Sequence, residues 1–501
     1  MADLLNNLGL GFSVALGLQN IALCFLGCLV GTLIGVLPGV GPIATIAMLL
    51  PITFGLDPVG ALIMLAGIYY GAQYGGSTTA ILVNIPGEAT SVVTTLDGHQ
   101  MARQGKAGIA LGTAAIASFF AGTVATLLIA ALGAPLTKLA LIFGPAEYFA
   151  LMVMGLAFAV VLAHGSVLKA VAMILVGVLF AVVGTDLETG QERMTFGFSF
   201  LTDGVDFSVL AMGLFGIAEI LRNLDQTETR DVVRERIGRL LPGLADLKQA
   251  LPATLRGTAI GATLGILPGN GAVLGPFAAY TIEKKIAKDP RRFGRGAIEG
   301  VAGPESANNA GAQTAFIPLL TLGIPPNAVM ALMVGAMTIH GIIPGPGVMT
   351  KSPDLFWGMI ASMWIGNLML LVINLPLVGV WVRLLKVPYR LMFPAILMFC
   401  SVGIYSINSV PTDVMLIGFF GLMGYLLIKF GFEPAPLLLG FVLGKLMEEY
   451  LRRSLTLSRG DPMVFLERPV SAVLFIIAFA ILAAALLPSL RKSRDEVFTE
   501  A

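Results

Sequence analysis

Long apolar runs, separated by short polar segments, follow one another along the whole chain. About 20 apolar residues are enough for a helix to cross the hydrocarbon core of a bilayer. Runs near this length lie at residues 11–36, 107–133, 147–163, 165–184, 205–221, 327–343, 355–382, 391–408, 411–430, 432–448 and 470–488. This pattern predicts an all-α polytopic membrane protein with about 10–12 transmembrane helices, plus shorter re-entrant or broken helices.

Composition agrees with a membrane protein. Of the 501 residues, 56% are hydrophobic and only 12% are charged, whereas soluble proteins average about 25% charged residues. The net charge of +1 offers no basic surface for nucleic acid. Cys24, Cys28 and Cys400 all lie in apolar runs without neighbouring histidines, so we expect buried thiols rather than a metal site.

Basic loops indicate the cytoplasmic side of a membrane protein. Such loops lie at residues 99–106, 222–256, 283–295, 383–390, 445–468 and 491–494. Segment 185–206 is mostly acidic, and we therefore expect it on the opposite face. This distribution is typical of a multi-pass protein of the bacterial inner membrane.

Two glycine- and proline-rich motifs resemble each other. Residues 35–42 read GVLPGVGP, and residues 265–271 read GILPGNG. Each is followed by a polar segment that ends in an Ile-Pro turn, at 74–88 and 304–327. Interrupted helices at corresponding positions of two halves are the best sequence indication of a transporter's binding site.

The second motif predicts a helical hairpin. Only residues 257–282 separate Arg256 from Glu283, whereas two crossings would need about 40 residues. Because both flanks carry cytoplasmic-type charge, the economical solution is a re-entrant hairpin with residues 267–271 at its tip. No Lys or Arg precedes Arg103, so the first copy can open to the opposite face. We therefore predict an inverted repeat, with halves 1–225 and 250–501 joined by a cytoplasmic linker at 226–249.

Each polar segment predicts a second interruption. Apolar arms at 310–322 and 327–342 flank residues 323–327, and the counterpart at 77–85 breaks at Pro86-Gly87, before a short arm at 89–96. Proline ends a helix because it lacks an N–H and clashes with the preceding turn. Broken backbone at membrane depth is tolerated only where it is buried in protein or lines an aqueous cavity.

Interrupted helices offer two kinds of ligand site. The free N–H groups at a helix start suit a carboxylate, and the free C=O groups at a helix end suit Na⁺. The predicted substrate-binding residues are Gly39, Gly41, Ser77, Thr78, Thr79, Asn84, Gly269, Asn270, Gly271, Ser306, Asn308, Asn309, Gln313 and Thr314. The predicted cation-coupling residues are Thr79, Glu305, Asn308 and Thr314.

The same residues have a plainer interpretation. Small and hydroxylated residues are common where membrane helices pack, so any single member of these clusters can serve packing alone. Glu88 and Glu305 either bind a cation or proton, as intramembrane carboxylates often do, or cap helices in contact with water.

No catalytic motif stands out in the sequence. There is no His-Glu-x-x-His, Gly-x-Ser-x-Gly or P-loop pattern. We therefore expect no enzyme activity, no cofactor and no metal apart from a coupling Na⁺, with an ion gradient as the energy source. A channel with re-entrant loops, a carboxylate exporter and an intramembrane enzyme are the alternatives.

Several blocks carry a family resemblance. Residues 35–42 with 47–51, 70–88, 265–276, 303–327, 184–197 and 445–461 resemble the large membrane subunit of the tripartite tricarboxylate transporter family. The stretch 304–310, PESANNA, is the most specific of them.

The resemblance implies partners and a substrate class. Members work with a small membrane subunit of four helices and with a periplasmic solute-binding protein. They import citrate and other carboxylates by secondary active transport, driven by Na⁺ symport or by H⁺. Which carboxylate and which cation this chain uses stays open, and a homodimer is one assembly that the sequence leaves open.

Overall fold

The computed structural model describes residues 2–37, 41–163, 166–186, 188–225, 239–268, 271–384 and 389–486. The first part contains helices α1 (Ala2–Ala15), α2 (Leu18–Val36), α3 (Pro42–Thr53), α4 (Pro58–Val83), α5 (Val92–Thr94), α6 (Ala107–Ala140), α7 (Pro145–Leu162), α8 (Val167–Ala181), α9 (Phe207–Ala211) and α10 (Ala218–Asp225). A two-stranded antiparallel pair, β1 (Gly184–Thr185) and β2 (Glu192–Arg193), follows α8.

The regular elements described in the second part are all helical. It contains α11 (Leu244–Gly265), α12 (Gly271–Ile286), α13 (Glu299–Thr314), α14 (Phe316–Leu322), α15 (Ala328–Ile339), α16 (Gly347–Lys351), α17 (Pro353–Asn374), α18 (Val378–Leu384), α19 (Tyr389–Asn408), α20 (Pro411–Lys429), α21 (Pro434–Leu457), α22 (Val464–Glu467) and α23 (Pro469–Leu486). Single 3₁₀ turns occur at Ala89–Ser91, Ser199–Leu201 and Pro290–Arg292, and π-helical turns at Thr95–His99, Ala102–Lys106 and Met212–Ile217.

Five described helical stretches are long and apolar enough to cross a membrane. They are Leu18–Val36, Ala102–Ala140, Phe207–Leu224, Pro353–Asn374 and Pro411–Lys429. Shorter apolar helices accompany them, among them α3, α8 and α15. The predicted all-α polytopic membrane fold is confirmed.

A seam of glycines holds each motif-bearing helix against its neighbour. In α2, Gly27, Gly31 and Gly35 lie directly on the backbone carbonyls of α4, and a Cβ at any of them would clash with a carbonyl oxygen. In α11, Gly257, Gly261 and Gly265 lie in the same way on carbonyls of α13. The four-residue spacing puts the glycines on one helix face, so the backbones approach closely. Each half therefore contains the same packing arrangement, in which glycines hold one helix closely against another.

The helix pair α2 and α4 and the helix pair α11 and α13 run in opposite directions relative to the long helix α6. Helix α17 is antiparallel to α6, because Phe356 lies beside Gly133 while Asn367 donates to the Phe119 carbonyl at 2.8 Å. Helix α2 runs parallel to α17: the Cys24 thiol lies 3.8 Å from the Ser362 carbonyl, and Cys28 lies 3.7 Å from Gly366. Helix α2 is therefore antiparallel to α6.

Helix α11 has the opposite orientation to α2. The Leu240 carbonyl, just before α11, lies against Gly112 near the start of α6. Farther along both helices, Ala262 packs with Ala121 and Ala125. Because α11 thus runs parallel to α6, the predicted inverted repeat is present in the fold.

The predicted hairpin after Arg256 is also confirmed. The chain reverses direction between α11 and α12, and a bidentate ion pair joins these two helices. Arg256 Nε lies 2.6 Å from Glu283 Oε1, and Arg256 Nη2 lies 2.7 Å from Glu283 Oε2. The two charges that bounded the hairpin in the sequence are therefore partners.

One topological expectation is wrong: segments 185–206 and 445–468 do not lie on opposite faces. Arg193 pairs with Glu448 at 2.6 Å, and Arg452 pairs with Asp186 and Glu188, each at 2.9 Å. The counting of basic residues failed here because the arginines of 445–468 are matched by nearby carboxylates.

The glycine seam leads to a first prediction. In Gly261→Ala, the new Cβ has no room beside the Ala307 carbonyl, so α11 must move away from α13, and we expect a loss of about 1–3 kcal/mol. The thermal midpoint of the purified protein measures this. Gly418→Ala is the control, because Gly418 lies in α20 with open space at its Cβ position; an equal fall in both variants would contradict the seam.

The contact between Arg452 and Asp186 leads to a second prediction. The backbone amide of Glu188 and the Arg452 guanidinium hold the pKa of Asp186 at about 2, below the ordinary value of about 3.9. A carboxylate with a lowered pKa stabilises the fold above pH of about 4, and this contribution is lost as the pH falls toward 2. We expect pepsin to cut segment 184–206 faster across this range.

The matched variants are Arg452→Gln and Arg453→Gln. Arg452→Gln should be cut readily at both ends of the pH range. Arg453, which pairs with Glu449, should behave like the unmodified protein when replaced. An unchanged pH profile in Arg452→Gln would refute this account of the contact.

Candidate functional site

The two halves break their helices with the same backbone geometry. Helix α4 ends at Asn84, whose φ is 60°, and α14 ends at Gly323, whose φ is 74°. Ile-Pro follows in both, and then an extended capping residue: Glu88 with φ −151° and ψ 167°, and Asn327 with φ −151° and ψ 174°. A left-handed residue followed by proline cannot continue a helix, so the predicted interruptions are confirmed.

Each capping residue starts the next helical segment. The Glu88 carboxylate accepts from the Thr90 hydroxyl at 2.5 Å and forms a reciprocal cap with Ser91. Asn327 Oδ1 accepts from the Met330 backbone N–H at 2.9 Å. The side chains thus satisfy part of the backbone that the breaks expose.

A cavity of about 530 Å³ lies where these breaks meet the starts of α3 and α12. It is lined by Gly41, Pro42, Ile43, Ala44, Tyr69, Ile85, Pro86, Gly87, Glu88, Ala89, Thr90, Phe215, Glu219, Arg222, Asn223, Ala272, Val273, Asn327, Ala328 and Val329. The helices α3, α12 and α15 all begin at its wall. Helix starts carry free N–H groups and partial positive charge, so three of them around one cavity favour an anionic ligand.

Helix α10 adds charged and polar side chains to this wall. Arg222 lies 3.6 Å from Glu219, and its side chain is 48% exposed. The guanidinium therefore retains donors for a ligand, and its planar fork matches a carboxylate. From α4, Tyr69 also lines the cavity, beside Glu88 and Asn327 in the same wall. The cavity thus combines residues of both halves.

Two of the glycines predicted to bind substrate belong to the described residues. Gly41 lines the cavity, and Gly271 directly precedes Ala272 in its wall. Gly39, Gly269 and Asn270 lie outside the described residues. Asn84 is exposed at the end of α4 and is not among the lining residues.

Most of the predicted polar side chains lie away from that wall, inside the helix packing. Thr79 donates to the Val36 carbonyl at 2.9 Å, at the end of α2. Thr314 and Ser306 bond within α13, to the carbonyls of Ala310 at 3.0 Å and Ala302 at 2.7 Å. These hydroxyls stabilise helices and their contacts in the structure described.

The two predicted amides on α13 are also buried. Asn308 is 1% exposed, and neither its Oδ1 nor its Nδ2 has a hydrogen-bond partner among the described residues. Gln313 is 2% exposed, and its Oε1 has no hydrogen-bond partner in the described part of the chain.

A second group of predicted residues does come together across the halves. Glu305 of α13 is 0% exposed and accepts from Ser77 of α4 at 2.6 Å. Thr94 donates to it at 2.5 Å, and Ser118 of α6 lies 3.4 Å away. Asn309 donates to the Ser118 hydroxyl at 2.7 Å. Ser77, Thr78 and Glu305 line a small cavity of about 20 Å³ beside this cluster.

Several site residues escaped sequence reasoning. Arg222 had been read only as a cytoplasmic loop charge, although Glu219, Arg222 and Asn223 share one helix face. Ser118 is a lone hydroxyl in an alanine-rich run, where no sequence signal distinguishes it from a packing residue. Thr94 belonged to a segment recognised only as a short polar arm.

Two proteins similar to this chain come from one bacterium. An uncharacterized 52.8 kDa protein in the TAR-I ttuC' 3'region of Agrobacterium vitis is 60% identical over 500 residues, which cover 100% of both chains. An uncharacterized protein in the TAR-II ttuC' 3'region of the same organism is 60% identical over 240 residues, covering 48% of this chain and 99% of that protein. No solved structure matches the chain.

The match to a protein family spans most of the sequence. The family described as the tripartite tricarboxylate transporter TctA family matches residues 21–439, which include both hairpins, both helix breaks and α10. Members of this family are components of transporters, which work with partner subunits and are not enzymes. The chain belongs to the tripartite tricarboxylate transporter TctA family and is a multi-pass membrane component of such a transporter.

Proposed function

We propose that this chain is the carrier subunit that moves a carboxylate, of the citrate type, into the cell across the bacterial inner membrane. The observation that carries the proposal is the cavity of about 530 Å³ between the two inverted hairpins. Three helix starts and Arg222 surround it, and both features favour carboxylate oxygens.

The proposed transport mechanism depends on the opposite orientation of the two units. The cavity lies between two units that enter from opposite directions, so relative motion of the units would expose it to one face and then to the other. A cation gradient, of Na⁺ or H⁺, is the proposed energy source. A periplasmic solute-binding protein supplies the substrate, and a small four-helix membrane subunit completes the complex.

The experiment is radiolabelled citrate uptake into proteoliposomes that contain the chain, its small subunit and its binding protein. We expect accumulation that depends on an inward Na⁺ or H⁺ gradient. If no carboxylate bound by the binding protein is ever accumulated, the carrier proposal is wrong. Flux that is independent of the binding protein and of any gradient would indicate a channel.

Arg222 provides the third prediction. Replacing it by Gln removes a charge-assisted hydrogen bond worth about 1.5–3 kcal/mol, so the KM for uptake should rise about tenfold or more. Arg222→Lys should be intermediate, because it keeps the charge but loses the planar fork. Uptake kinetics at saturating binding protein measure both.

The matched control is Arg291→Gln, which removes the same charge from an 87% exposed side chain outside the cavity wall. We expect its KM to stay unchanged. A similar KM change in both variants would show that Arg222 acts through overall charge and does not contact the substrate.

A further inference from the structure

Glu305 is a buried carboxylate with no basic partner. It is 0% exposed, and no Lys, Arg or His nitrogen lies within 4.0 Å of its oxygens in the described residues. The groups that it meets are the hydroxyls of Ser77, Thr94 and Ser118. An uncompensated negative charge at such a position is expensive, so Glu305 needs either a proton or a bound cation.

The surroundings of Glu305 offer room and oxygen ligands for one small cation. The adjoining cavity of about 20 Å³ is the size of a single water-sized particle. Asn374 also lines this cavity. It is 6% exposed, and its Oδ1 has no hydrogen-bond partner among the described residues. Carboxylate, hydroxyl and amide oxygens are what a hard cation prefers.

The cluster can also hold a proton. The Ser77 hydroxyl lies 2.9 Å from the Gln73 carbonyl as well as 2.6 Å from Glu305. Ser77 can therefore donate to that carbonyl while it accepts a hydrogen bond from the O–H of a protonated Glu305. Thr94 then donates to the other carboxyl oxygen. Every hydrogen bond of the protonated acid is satisfied in this arrangement.

Other titratable groups are few around α13. In the described part of the chain, Tyr74 lines the same small cavity as Glu305, and Glu88 lies beside Gly76, the residue before Ser77. Toward the start of α13, Asp97 and Tyr280 lie beside Gly300. Glu283 lies beside Gly303, and its carboxylate is already paired with Arg256. His99, on the π-helical turn after α5, contacts the Ile81 carbonyl.

One short helical stretch connects this cluster to the substrate cavity. Thr90 lines the large cavity and donates to Glu88, whereas Thr94, four residues later, donates to Glu305. On α4, Gly76 lies against Glu88 and the next residue, Ser77, bonds Glu305. A change in charge at Glu305 therefore acts on the same elements that form the cavity.

We infer that Glu305, with Ser77, Thr94, Ser118 and Asn374, forms the binding site for the transported monovalent cation, H⁺ or Na⁺, separate from the carboxylate cavity. This inference rests on the proposed function for its role in coupling. The binding itself is independent of uptake and can be measured without substrate.

Two measurements on the purified protein distinguish the cations, each with Glu305→Gln as the test variant. For Na⁺, the thermal midpoint should rise by several degrees in NaCl relative to choline chloride, since a ligand of the native state stabilises it. For H⁺, the infrared spectrum should show a protonated carboxyl band that titrates with pH. In Glu305→Gln the effect that the unmodified protein shows should disappear.

The control is Asp97→Asn. Asp97 is also buried, but its oxygens accept from the backbone amides of Gly296 and Ala297, each at 2.7 Å, and from the Tyr280 hydroxyl at 3.0 Å. This variant should retain the cation response. If neither response occurs, or if the response survives in Glu305→Gln, the site is refuted.

Uptake measurements distinguish a failure of this inference from a failure of the proposed function. In proteoliposomes, Glu305→Gln should lose at least about tenfold of gradient-driven accumulation while exchange of internal for external substrate persists. A cation response that depends on Glu305, in a protein that moves no carboxylate, would support the site and refute the carboxylate carrier. Accumulation that is unchanged in Glu305→Gln would refute the site and leave the carrier intact.

Discussion

Unsatisfied backbone inside an apolar protein is the constraint on which this structure depends. Each interrupted helix leaves N–H and C=O groups that a bilayer cannot hydrate, and such groups persist only when protein or a water-filled cavity satisfies them. Here the interruptions of both halves are gathered at one place. Glu88 and Asn327 cap two of the exposed ends from within, and the starts of α3 and α12 face the cavity. The need to satisfy backbone therefore produces a site rich in hydrogen-bond donors.

Close helix packing makes this arrangement rigid enough to serve as a site. The glycine seams of α2 on α4 and of α11 on α13 leave no space between the backbones, so each hairpin moves only together with its partner helix. The ion pair of Arg256 with Glu283 closes the second hairpin. Asp97, bound to the backbone at Gly296, ties the first half to the start of α13. The proposed carrier thus consists of two stiff units that share a cavity at their contact.

The features that sequence reasoning predicted are those with a local physical cause. A left-handed residue followed by Ile-Pro cannot continue a helix, so the breaks at Pro86 and Pro325 could be placed from sequence, although Pro135, Pro276 and Pro304 lie inside helices. The hairpin at 267–271 followed from charge and length alone. Contacts between distant parts of the chain could not be predicted from the sequence. Ser118 and Thr94 meet Glu305 from distant parts of the chain, and only the packing of α6 against α13 brings them together.

Counting charges along the sequence misled where ion pairs join distant segments. Counting basic residues placed 445–468 on the wrong face relative to 185–206, because the Arg452 charge is taken up by Asp186 and Glu188. Counting also assigned Arg222 only to a basic loop, although its side chain lines the cavity. Many of the predicted Ser, Thr and Asn residues bond inside helices or around Glu305, so residue type alone did not separate ligand contacts from packing.

The most direct test of the account is whether one bound substrate shields residues of both halves at the same time. Ile43 and Val273 lie at corresponding positions near the starts of α3 and α12, and both line the cavity, while the native cysteines are buried. The measurement is the rate at which a thiol reagent modifies Ile43→Cys and Val273→Cys, with and without the carboxylate that the binding protein carries. The account predicts that the carboxylate slows both reactions over the same concentration range. Protection of neither residue, or of only one, would contradict a shared substrate site between the inverted halves.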